Sequence, residues 1–105
     1  MKRALASIVL AAAASLVQAT EFLYIPNMSL VKWQMASNGV VYFRNLNEFH
    51  AGWLGCCYNF WLDTTTSAGK SAWASILLKS AGSLPLWFAA SDPNAPGAIT
   101  YVGIW

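Results

Sequence analysis

One helical stretch stands between runs that alternate like strands, and that placement restricts the fold more than any other feature. In "TTTSAGKSAWASILLKSAGS", residues 64–83, Trp73, Ile76, Leu77 and Ser80 recur at helical spacing and form an apolar stripe. Thr66 suits the N-cap, Ser67 supports the same turn, Lys79 stands where a cation is favoured, and Gly82 is the natural terminator. Gly69 weakens the first turn. Its missing side chain would let the helix start lie close to a strand.

The surrounding runs read as strands. In "LVKWQMASNGVVYFRN", Asn38-Gly39 separates two β-rich runs and predicts a hairpin with a two-residue type I′ turn. That register pairs Ser37 with Val40, Met35 with Tyr42 and Trp33 with Arg44 on one side. Ala36 pairs with Val41 and Gln34 with Phe43 on the other. "CYNFWLD" is a third strand, with Tyr58, Phe60 and Leu62 on one face and Cys57, Asn59, Trp61 and Asp63 on the other. After the helix, "PLWFAAS" is a fourth strand and "DPNAPG" a turn loop. "AITYVGIW" is a fifth, with Ile99, Tyr101, Gly103 and Trp105 on one face and Thr100, Val102 and Ile104 on the other. "TEFLYIPNMS" reads as an extended lead-in. The fold class is mainly β with one helix in the order β-β-β-α-β-β, which predicts an OB-fold-like five-stranded barrel.

The first residues carry an address. Lys2 and Arg3 form a basic n-region, Ala4 to Val17 an apolar core, and Val17-Gln18-Ala19 the small residues of a cleavage site. The expectation is a bacterial secretory signal over residues 1–19, cleaved after Ala19, and a single domain over residues 20–105 that is periplasmic or secreted. The apolar run is short for a membrane-spanning helix, which needs about 20 residues.

Without that segment, Lys32, Arg44, Lys70 and Lys79 balance Glu21, Glu48, Asp63 and Asp92, so the net charge of +2 belongs to the leader. A neutral domain lacks the clustered cations of a nucleic-acid surface and the polybasic patch of a membrane surface. All six tryptophans lie after the leader, among only eight charged residues. That surplus of aromatic over charged surface points to a ligand face, a homo-oligomeric interface, or both.

The chain's two cysteines, Cys56 and Cys57, are neighbours. Adjacent α-carbons lie about 3.8 Å apart, whereas disulfides prefer about 4.4–6.8 Å. Unpaired buried thiols, a strained vicinal bridge and inter-subunit bonding all stay open. A zinc site wants wider ligand spacing, and a redox motif wants Cys-x-x-Cys. No metal or cofactor is expected. His50, the single histidine, has no nucleophile fixed beside it and reads as a loop residue. Asp63 is expected to bond backbone or threonine groups at the strand-to-helix junction. "SAGKS" lacks the first glycine of a phosphate loop, because Thr64 stands where it would be. No catalytic set emerges, so the chain reads as non-enzymatic.

The aromatics carry the binding expectation. Sugar rings stack apolar faces on Trp and Tyr while polar groups fix their hydroxyls. The predicted hairpin face brings together Trp33, Tyr42 and Arg44, with His50 and Trp53 in the neighbouring connection.

The run "YNFWLDTTTSAGKSAWASILLKSAGSLPLWF", with "NGVVYFRN" before it and "ITYVGIW" at the end, resembles a family of short exported, largely uncharacterised bacterial OB-fold proteins. The marks are Leu62-Asp63, Thr64 to Thr66, Gly69-Lys70 and Ile76 to Leu78. The layout is similar, more distantly, to the pentameric B subunits of AB5 toxins of the subtilase cytotoxin type. The first resemblance implies the OB fold; the second implies glycan binding by an assembled module. Relatives of this kind often carry a second cysteine in the loop before the last strand, where "SDPNAPG" has none. The expectation is an exported binding or assembly module for a glycan. The alternative is a periplasmic protein-interaction or inhibitor protein.

Overall fold

Six strands and one α-helix make up residues 20–55 and 57–104, which this computed structural model describes. The strands are β1 (Glu21–Ile25), β2 (Trp33–Met35), β3 (Val40–Phe43), β4 (Phe60–Asp63), β5 (Leu86–Ala90) and β6 (Gly97–Gly103). The helix, α1 (Ser67–Ala81), follows β4. The expected signal segment, Cys56 and Trp105 lie outside the described residues.

The strands form one mixed sheet in the order β1-β5-β6-β4-β3-β2. Neighbours are antiparallel except β4 and β6, which are parallel. The sheet is not the closed five-stranded barrel expected from the sequence. The lead-in is itself a strand: Leu23 and Ile25 are buried while Phe22 and Tyr24 stay exposed, the period of two that a half-covered strand requires. By pairing with β5, β1 occupies the edge on which β2 would have to close.

The hairpin register differs by one residue from the predicted one. Trp33 faces Phe43, Gln34 faces Tyr42 and Met35 faces Val41. Only Gly39 takes positive φ (84°); Asn38 does not, so a type I′ turn is not formed. The Gly39 N–H donates to Ala36 O (3.0 Å) and Ala36 N–H to Val40 O (2.9 Å), closing a three-residue loop. A one-residue slip exchanges faces. Trp33 therefore lies on the side opposite Tyr42.

The last strand also departs from simple alternation. Ala89 faces Tyr101 but Ala90 faces Ile99, a bulge that leaves Thr100 as the extra residue. Ile99 is thereby buried while Tyr101 points to the other face, 59% exposed. In the third predicted strand, regular pairing starts only at Phe60, because Tyr58 holds φ 65°. Phe60 and Leu62 are buried as expected.

The helix has the expected caps. Thr66 Oγ1 accepts from Gly69 N–H (2.9 Å), and Gly82 closes the end with its N–H on Leu78 O (3.2 Å). Its inward stripe is Gly69, Ala72, Trp73 and Ile76; Leu77 lies on the flank, 42% exposed. A Cβ built on Gly69 would run into the Asp63 carbonyl oxygen, so the first turn lies directly on the end of β4.

Helix and turns cover one face of the sheet. Leu23, Ile25, Val41, Phe43, Phe60, Leu62, Phe88 and Ile99 point into that core. Phe43 and Phe88 meet with centroids 5.1 Å apart. Each fully buried large side chain contributes about 1.5–3 kcal/mol. Asn45 is the buried polar residue of this core. It accepts from Lys32 N–H (2.7 Å) and donates to Leu30 O (2.9 Å), so its desolvation is repaid by two bonds.

Candidate functional site on the open sheet face

The second face of the sheet is where the aromatic surplus goes. Strand alternation and the observed registers put Phe22 and Tyr24 of β1, Trp87 of β5, Tyr101 of β6, Trp61 of β4 and Tyr42 of β3 on it. Phe22 and Tyr24 are each 45% exposed, while Tyr42, Trp61 and Trp87 are half-buried. Tyr24 packs on Trp87 with centroids 5.0 Å apart, and Tyr42 packs on Trp61 at 6.3 Å. Ala89 sits between Phe22 and Tyr101 and has no exposed surface. An aromatic surface this broad on a small domain is a feature of recognition faces.

A cleft opens between β4 and β6, where the sheet is weakest, and residues of both faces line it. β4 and β6 pair at only two positions, Phe60 with Gly97 and Trp61 with Ala98. Beyond them the start of α1 comes in against both strands. The cleft holds about 240 Å³, and Trp61, Tyr101, Asp63, Thr66 and Thr100 are among its walls. A second cleft of about 350 Å³ lies along the Asp92–Gly97 loop and shares Ala98 and Thr100 with the first. The two adjoin at those residues of β6. The first mixes aromatic faces with a few polar groups, the lining of a small-ligand site.

Asp63 is positioned within the cleft wall by its own turn. The Thr65 hydroxyl (2.6 Å) and the Thr65 N–H (2.9 Å) both donate to Asp63 Oδ1. These two bonds, the side-chain one first, hold its carboxyl below the usual value of 3.8. The ionised group accepts hydrogen bonds only. Oδ1 is occupied, and Oδ2 takes no bond among the described residues. The sequence-based expectation that Asp63 bonds backbone or threonine groups at this junction is met by the two bonds from Thr65.

The five residues proposed from the sequence are dispersed. Tyr42 is on the open face beside Trp61. Arg44 follows one strand step later and is exposed. Trp33 is on the covered face at the sheet edge, edge-on to helix residue Trp73 at 4.6 Å. Trp53 is buried against Phe60 at 4.9 Å and belongs to the core. His50 is an exposed loop residue whose Nδ1 accepts from Gly52 N–H (2.9 Å). The physical reason is the hairpin slip, which takes Trp33 away from Tyr42 and Arg44. Trp61, Tyr101 and Thr100 replace the missing partners. Trp61 was legible as the residue opposite Phe60 and Leu62; Tyr101 was hidden by the bulge.

Cys57 is exposed and disulfide-bonded; the chain's other cysteine, Cys56, lies outside the described residues. Among the described residues, no three His, Cys, Asp or Glu side chains are grouped as a metal site would need. No described helix is long and apolar enough to cross a membrane.

No family model, curated protein or solved structure matches the chain. The open face must therefore be read from its own chemistry.

Proposed function

We propose that this protein is an exported, non-enzymatic binding module whose open sheet face takes a glycan. The observation that supports this most is the cleft beside Trp61, where Tyr101 and Trp61 offer ring faces and Asp63, Thr66 and Thr100 offer hydrogen-bonding groups. A sugar ring would lay its apolar face on an indole or phenol and give hydroxyl protons to the free oxygen of Asp63. The first cleft lies below the roughly 300–1,000 Å³ of pockets for drug-sized ligands. It suits one ring, and the adjoining cleft along the Asp92–Gly97 loop suits a second. Such a module would serve as the recognition part of an exported system, in the manner of the toxin B subunits its layout resembles.

A second reading, that the face meets a protein or another copy of this chain, is favoured by its far end. Phe22 and Tyr24 form exposed apolar surface there, away from Asp63 and the threonines. A mass measurement in solution separates self-association from a monomeric binder.

The test of the main reading is binding of the intact protein to an array of immobilised glycans, repeated with Trp61→Ala and Trp33→Ala. Binding that falls sharply with Trp61→Ala and persists with Trp33→Ala supports the reading. Retention of no glycan, or binding indifferent to Trp61, overturns it.

A further inference from the structure

Two cations stand opposite each other at the base of the hairpin. Arg44 N–H donates to Lys32 O (2.8 Å), which continues the register of Gln34 with Tyr42. Alternation then puts Lys32 and Arg44 on the open face, since their neighbours Trp33 and Phe43 lie on the covered one. Both are exposed, and neither makes an ion pair among the described residues. Like charges directly across a strand pair cost stability. The arrangement is nevertheless held in place, because buried Asn45 binds the backbone of Lys32 and Leu30. The remaining cations after the leader, Lys70 and Lys79, are on the helix, so half the positive charge of an otherwise neutral domain is gathered here.

We propose that Lys32 and Arg44 make the open face selective for acidic sugars, receiving a carboxylate or a sulfate ester carried on the bound glycan. This rests on the glycan reading of the face. Arg44 follows Tyr42 by two residues on one side of β3, about 7 Å along the strand. That is about the span of a ring stacked on the Tyr42–Trp61 pair, so an acidic substituent of that ring reaches the cations. The guanidinium fork matches the two oxygens of a carboxylate or sulfate, and the ammonium adds a point charge. Asp63, at the opposite end of the same strip, faces the hydroxyl side and repels a ligand bound in the reverse orientation.

The experiment compares three matched oligosaccharides: neutral, carboxylated and sulfated. Each is titrated into the intact protein at low and high salt, with wild type, Arg44→Lys and the double variant Lys32→Gln/Arg44→Gln. At low salt, at least one acidic form should bind about tenfold or more tighter than the neutral one, as a charge-assisted bond gives. Raising the salt should narrow that gap, because the cations are exposed. The double variant should abolish the preference, and Arg44→Lys should weaken it; which acidic form leads identifies the group bound. Equal binding of neutral and acidic forms overturns the selectivity and leaves the glycan reading standing. A preference that survives the double variant also overturns it. So does a double variant that loses the preference only because it self-associates, which would make the pair a guard of the sheet edge. Binding of none of the three overturns both readings.

Discussion

The two faces of the sheet are built from similar residues and end in opposite conditions. On the covered face Phe43, Phe60 and Phe88 have almost no exposed surface, and α1 with its turns closes over them. On the open face Tyr42, Trp61 and Trp87 stand on the same three strands, one residue out of phase, with Tyr101 on β6, and α1 reaches them only at its start, in the cleft between Trp61 and Tyr101. The comparison teaches that aromatic content does not separate core from recognition surface. What separates them is the parity of each residue along its strand. The open face also keeps the hydroxyls of Tyr42 and Tyr101, whereas the most buried rings are phenylalanines.

The contrast breaks first at the core. Phe88→Ala removes a fully buried ring that packs on Phe43, and should cost about 3–5 kcal/mol in urea unfolding. Asn45→Leu leaves the Lys32 N–H and the Leu30 carbonyl without their partner and should cost about 1–3 kcal/mol by the same measurement. Gly69→Ala should also destabilise by about 1–3 kcal/mol, despite alanine's better helix propensity, because the added methyl meets the end of β4. A stabilised Gly69→Ala variant would mean that helix and strand can separate there. Trp61→Ala removes a half-buried ring packed on Tyr42 and should cost about 1–2 kcal/mol, clearly less than Phe88→Ala, while glycan retention falls. If Trp61→Ala unfolds the domain as readily as Phe88→Ala does, the two faces are not distinct.

The smallest effect concerns pH. The folded pKa of Asp63 is depressed by its bonds from Thr65. Its contribution is therefore fully present above the unfolded value of about 3.8 and is lost as pH falls through the lower folded value. Thr65→Val removes the larger of the two causes and should raise the Asp63 titration toward 3.8, read from its carboxyl carbon by NMR.

Much of the fold could be read from the chain, and the exceptions have physical causes. The helix and both its caps were legible, because caps and spacing are local chemistry: Thr66, Gly69 and Gly82 act within a turn of their own positions. The lead-in strand was not, since "EFLYI" becomes a strand only by finding β5, more than sixty residues later. Within the candidate site, Tyr42 and Arg44 were placed on a common face correctly, Trp33 was not, and Trp53 lies in the expected connection but is buried. Trp33 was misplaced by a single residue in a turn, and the burial of Trp53 reflects the depth of its loop, which no local pattern records.

By itself the sequence determined the helix with its caps and the two runs of the hairpin, that residues 20–105 carry no net charge, and that their aromatic side chains outnumber what a small core absorbs. Those properties come from composition and from interactions within a few residues. Tertiary structure decided which aromatics became surface. The glycine-led hairpin loop, the bulge at Thr100 and the pairing of β1 with β5 set the parity of each strand and left the sheet open. Strand parity depends on register, and register is decided between segments distant in the chain.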